Sequence, residues 1–114
     1  MTNEIENSKD FQELKYIKDR YNIPASVLFF KLDSSKTEEL KRILRFTDLV
    51  YELNEDDKYY IVVILPFTEE EESYAVFKKI EHNVLKHETE FLHSELKDSF
   101  SGALNDLYAN GGEF

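Results

Sequence analysis

The apolar positions change their spacing several times along the chain. Phe11, Leu14, Tyr16 and Ile17 recur at helical intervals behind Asn7 and Ser8, either of which can cap the first turn. This helix is expected to end near Asn22, because Pro24 biases Ile23 away from the helical region. The stretch from Ala25 to Asp33, with Val27, Leu28, Phe29 and Phe30 in an unbroken run, predicts a buried strand. Asp33-Ser34-Ser35 reads as a stop and a cap. Thr37 to Leu44 reads as a second helix, with Leu40, Ile43 and Leu44 on one face. Phe46 to Leu53 and Tyr59 to Leu65 predict two strands around the polar turn Asn54 to Lys58, which makes a hairpin. Pro66 ends the second of these strands. Thr68, with Glu70 to Glu72 behind it, supplies a capping hydroxyl and carboxylates for a helix N-terminus. The stripe Tyr74, Phe77, Ile80, Val84 and Leu85 carries that helix to about Leu85–His87. Glu90 to Phe100 fits helix or strand, and Ala103 to Ala109 suits a short terminal helix.

Strands interleaved with helices, plus one hairpin, imply an α+β fold: a mixed or antiparallel sheet with helices packed on it, for which a ferredoxin-like arrangement fits best. With 114 residues, no internal repeat and no linker, residues 1–114 are expected to form a single domain. A hydrophobic content of 41% and an aromatic content of 14% suffice for a core. The formal charge of −10 disfavours non-specific contact with nucleic acid or an anionic membrane and favours a basic protein partner. The absence of cysteine excludes disulfides, thiolate metal sites and cysteine nucleophiles. The opening residues MTNEIENSKD lack a basic-then-apolar leader, and the run Tyr59 to Phe67 is too short to span a bilayer, so the cytoplasm is the expected location.

The segment Leu44-Arg45-Phe46-Thr47-Asp48-Leu49-Val50-Tyr51 resembles the stretch before the signature loop of GGDEF domains, the diguanylate cyclase family of bacterial signalling. Ile61 to Pro66 resembles the strand after that loop, and Thr68 with Glu69 to Ile80 the following helix. Upstream, Asn7 to Phe11 and Pro24 to Asp33 are similar to the family's opening. The resemblance covers most of the chain in the correct order. It implies a shortened nucleotidyl-cyclase-like form of the ferredoxin-like sheet.

The family's chemistry is not carried over with it. Cyclases hold Mg²⁺ on a nucleotide triphosphate with carboxylates from the first strand and the hairpin loop. At the first of these positions this chain has Lys31, in Lys31-Leu32-Asp33, and a cation there opposes metal binding. Counting forward from Asp48 or back from Pro66 places the loop at Asn54–Lys58 or Asp57–Ile61, so the hairpin is about three residues longer than the family's. Neither register contains the glycine pair that lets nucleotide approach the backbone. Asp56 and Asp57 read as a solvated turn. The terminal Asn110-Gly111-Gly112-Glu113-Phe114 lies far downstream, with no strand after it. It reads as a tail, or as the C-cap of a closing helix, rather than as a catalytic loop. The expectation is therefore no catalysis, no metal and no cofactor.

Arg45 and Asp48 form an Arg-x-x-Asp separated by Leu49 to Leu53 from the loop equivalent. The resemblance makes them the family's inhibitory site, where Arg and Asp grip cyclic di-GMP. A guanidinium pairs with phosphate or a guanine edge, and a carboxylate accepts from guanine N–H groups. A surface ion pair is the plain alternative. His82 and His87 are five apart, which does not suit a zinc helix, and with His93 they read as solvated or half-buried. Phe29, Phe30, Tyr59, Tyr60 and Phe67 read most simply as core and sheet face, and any exposed subset of them as an interaction surface, between which alternation does not choose. The sum is a catalytically inactive GGDEF-like regulatory or interaction module, with a protein partner, cyclic di-GMP or a second copy of the chain as what it binds. A small acidic inhibitor of the immunity-protein or antitoxin kind, neutralising a basic target, is the alternative.

Overall fold

The computed structural model describes residues 5–55, 57–87, 89–96 and 102–103. Its elements are α1 (Lys9–Tyr21), β1 (Ala25–Leu32), α2 (Thr37–Ile43), β2 (Leu49–Glu55), β3 (Lys58–Pro66), α3 (Glu70–Ile80) and β4 (Phe91–Glu95). The strands form one sheet in the order β2-β3-β1-β4, and every neighbouring pair is antiparallel. This is the ferredoxin-like order: α2 crosses from β1 to β2 past β3, and α3 from β3 to β4 past β1.

β1 and β3 are central and covered on both faces, which is why their sequences are continuous apolar runs. Val27, Phe29, Val62 and Ile64 point to one face, where Phe11 and Leu14 of α1 pack with Ile5, Leu96 and Ala103. Leu28, Phe30, Ile61, Val63 and Leu65 point to the other, where Leu40 of α2 and Phe77 and Ile80 of α3 cover them. On that second face the Phe77 ring lies 3.8 Å from Phe91, stacked, and 5.4 Å from Phe30, edge-on.

Ser8 caps α1, its hydroxyl accepting from the Phe11 amide, and Asn22 closes the helix with φ of 50°. Other local expectations are corrected. The N-cap of α2 is Lys36 rather than a serine of 33–35, and the hydroxyls of Ser35 and Thr37 instead donate to Glu52. Glu69 rather than Thr68 caps α3, with the Glu72 carboxylate accepting from its amide at 3.3 Å as in a capping box. β2 begins at Leu49, because residues 45–48 form a turn. Glu55 pairs with Lys58, so two residues join the hairpin and the additional length is taken up as strand. Residues 91–95 are strand, settling the helix-or-strand ambiguity. The closing helix after Ala103 and the terminal Asn110–Phe114 lie outside the described residues.

Candidate functional site

The turn between α2 and β2 is built around one carboxylate. Asp48 accepts from the Arg45 amide at 2.9 Å, from Arg45 Nε at 3.2 Å and from Arg45 Nη2 at 2.9 Å. Its side chain is only 3% exposed, whereas that of Arg45 is 53% exposed. The same Nη2 donates to the Pro66 carbonyl at 2.7 Å and to Thr68 Oγ1 at 3.0 Å. One guanidinium therefore ties the α2–β2 turn to the β3–α3 turn. Among the described residues its Nη1 edge has no acceptor, and it remains available to an anion. Arg45 and Asp48, paired in the sequence reading, are thus brought together, but each is the other's partner.

Two aromatic side chains leave the core at this end of the sheet. Phe46, between Arg45 and Asp48, is 98% exposed. Phe67 lies between the two residues that accept from Arg45 and is 53% exposed. Its φ of 58° is in the left-handed region, where a bulky residue carries a cost of roughly 1–2 kcal/mol. The surroundings hold it there. The Phe67 amide donates to the Pro24 carbonyl at 2.8 Å, and the buried Ser26 hydroxyl donates to the Thr68 carbonyl at 2.8 Å. Both rings thus stem from segments that meet at the Arg45 guanidinium. The expectation that Phe67 belongs to core or sheet face is corrected, since it follows the last strand residue and turns outward. Phe29 does lie in the core, and Tyr59 and Tyr60 are half-buried on the two sheet faces.

The opposite end of the sheet carries the hairpin and the end of β1. There Lys58 pairs with Asp33, the carboxylate that follows β1. The Lys58 ammonium, by hydrogen bond and charge, holds the Asp33 carboxyl below its usual range, and Asp33 in turn raises the Lys58 ammonium. Lys31 sits on β1 opposite Tyr60. The end of β1 thus presents a lysine-neutralised carboxylate flanked by a second lysine. No group of three or more metal-ligating side chains occurs among the described residues.

The residues missed by sequence reasoning are Pro66, whose carbonyl accepts from Arg45, and Thr68, whose hydroxyl does so. Thr68 carried a signal, a hydroxyl before an acidic run, but that signal pointed to a cap.

The fold has a counterpart. The crystal structure of PelD 158-CT from Pseudomonas aeruginosa PAO1 is similar to this chain at a TM-score of 0.61 and 16% identity, covering 94% of this chain and 42% of that chain. The chain thus spans less than half the length of that structure, and at this identity the likeness concerns fold alone. No protein-family model matches the chain. No curated protein matches it. No helix among the described residues is long and apolar enough to cross a membrane.

Proposed function

We propose that residues 1–114 form a single GGDEF-like regulatory domain that does no catalysis and binds cyclic di-GMP at the turn carrying Arg45 and Asp48. The observation that carries this reading is the half-exposed guanidinium held by a buried carboxylate, with an exposed phenylalanine on each of the two turns it joins. A guanidinium edge matches a phosphodiester or the acceptor edge of guanine. An exposed ring offers a base a stacking surface, commonly contributing about 1–3 kcal/mol. In this arrangement Arg45 is the contact residue. Asp48 orients it and accepts guanine N–H groups as the pair opens. Lys31, where the family resemblance asks for a metal-binding carboxylate, supports the absence of catalysis. A cytoplasmic location, and output through a protein partner, basic or a second copy of the chain, complete the reading. The net charge of −10 disfavours nucleic acid and anionic membranes as partners.

The test is calorimetric titration of the protein with cyclic di-GMP, alongside Arg45→Ala and Phe46→Ser variants and a thermal melt of each. Saturable binding by the parent is expected, lost in Arg45→Ala and weakened in Phe46→Ser. Phe46 is almost fully exposed, so its variant separates ligand contact from folding. Absence of saturable binding by the parent, or full affinity in both variants, refutes the cyclic di-GMP reading.

A further inference from the structure

A second site stands apart from the first, at the other end of α3. That helix continues as one π-helical turn, Glu81–Leu85, and the Lys86 amide donates five residues back to the Glu81 carbonyl at 2.7 Å. π-Helical turns are rare and frequently occur at functional sites. Lys86 then takes φ of 60°, in the left-handed region that glycine usually occupies. An open cavity of about 530 Å³ lies here, lined by Lys78, Glu81, His82, Lys86 and His87. Its volume falls within the range common for small-molecule sites.

The lining is cationic although the chain as a whole is strongly acidic. Its single carboxylate is already engaged: Glu81 Oε1 accepts from Lys78 Nζ at 3.1 Å, and Oε2 accepts from the Thr89 amide at 2.9 Å. The side chains of Lys86 and His82 are exposed and have no hydrogen-bond or ion-pair partner among the described residues. An imidazole presents an N–H donor in either charge state, and an ammonium presents three. His87 influences Asp33, which follows β1, so the cavity belongs to the hairpin end of the sheet, away from Arg45. We propose that this cavity binds the phosphate group of a soluble small molecule, with Lys86 and His82 as the principal contacts and Lys78 and His87 beside them. Phosphate suits the lining better than a carboxylate because its several oxygens can accept from separate cations at once. The net charge of −10 repels anions elsewhere, so binding must come from this local cluster.

Lys86 allows a discriminating substitution. A lysine in the last turn also complements the negative end of the helix dipole, which is a purely structural role. Lys86→Gly removes the ammonium and at the same time relieves the left-handed strain, so the fold is retained or strengthened. The experiment titrates the full chain with pyrophosphate and with inorganic phosphate, followed by NMR of the histidine side chains and by calorimetry. Parent, Lys86→Gly and His82→Ala are compared, with co-sedimentation on phosphatidylserine vesicles as a separate arm. Expected are saturable pyrophosphate binding that shifts the His82 resonances and a loss of affinity of about tenfold or more in Lys86→Gly at an unchanged or higher melting temperature. Absence of saturable binding by the parent overturns the proposal, as does equal affinity in both variants. Vesicle binding that depends on Lys86, without pyrophosphate binding, overturns it in favour of a lipid surface. None of these outcomes depends on Arg45, so the two sites stand or fall separately.

Discussion

Replacing Asp48 by alanine removes the acceptor around which the α2–β2 turn is organised. The lost contacts are one backbone amide bond and the two guanidinium bonds from Nε and Nη2. A hydrogen bond to a charged group contributes about 1.5–3 kcal/mol, and an exposed ion pair ~0.2–1 kcal/mol. The carboxylate is buried but the guanidinium is half in water, so the ion-pair part is discounted towards the exposed value. Arg45 also keeps the Pro66 carbonyl and the Thr68 hydroxyl as acceptors. The net expectation is a loss of about 2 kcal/mol. For a small domain this lowers the melting temperature by roughly 8 °C, and with ordinary urea sensitivity it lowers the urea midpoint by about 1 M. The assay is equilibrium urea unfolding followed by far-UV circular dichroism for the parent, Asp48→Ala, Arg45→Ala and the double variant. A coupling energy of about 1–2 kcal/mol is expected, because the residues are direct partners. A single-variant loss below about 0.5 kcal/mol together with zero coupling would show that the pair is a solvated ion pair. It would also remove the premise that Asp48 holds Arg45 in position for a ligand.

Two further outcomes follow from the packing and the ionisable groups. Phe77→Ala, at a position fully buried between Phe30 and Phe91, is expected to cost about 3–5 kcal/mol and to abolish folding in a marginally stable chain, read from the urea midpoint or from the loss of a cooperative transition. Burial pushes the His93 imidazole below its ordinary value of 6.5, against the opposing pull of Glu70 and Glu95. The unfolded chain therefore takes up this proton first. The His93 contribution is level above about pH 7.5 and declines as pH falls through 6.5 towards the lower folded value, so His93→Gln should flatten the urea midpoint between pH 7.5 and 5.5. An unchanged pH profile in that variant contradicts the assignment.

The candidate site was legible in part. Arg45 and Asp48 stand out through the resemblance, which makes the Arg-x-x-Asp an inhibitory site, but Asp48 was expected inside a strand and lies instead in the turn before it. Pro66 and Thr68 could not be chosen in advance as partners of Arg45, because they lie 21 and 23 residues further along the chain. Phe46 and Phe67 misled in the opposite direction. Periodicity assigns an apolar side chain to a face, but a turn residue at either end of a strand belongs to no face. Phe67 in particular is turned by a left-handed backbone angle that no pattern of residue types records.

Local pattern alone assigns most of the helices and strands, up to the helix that follows Pro66. Unbroken apolar runs such as Val27–Phe30 are satisfied only by burial on both faces, and stripes such as Phe77, Ile80 and Val84 only by a helix laid against a sheet. It also determined an α+β architecture, since a hairpin preceded and followed by amphipathic helices leaves few ways to cover both strands. Long-range packing set the strand order, the position of α1 on the opposite sheet face from α2 and α3, and the assignment of residues 91–95 to a strand against β1. These depend on pairing between segments far apart in the chain, where a short half-polar stretch takes its conformation from the edge it meets. The lysine on Asp33, the guanidinium shared between two turns and the cationic cavity beyond α3 arise in the same way. Charges distant in sequence interact according to the distance the fold gives them, and local propensity does not encode that distance.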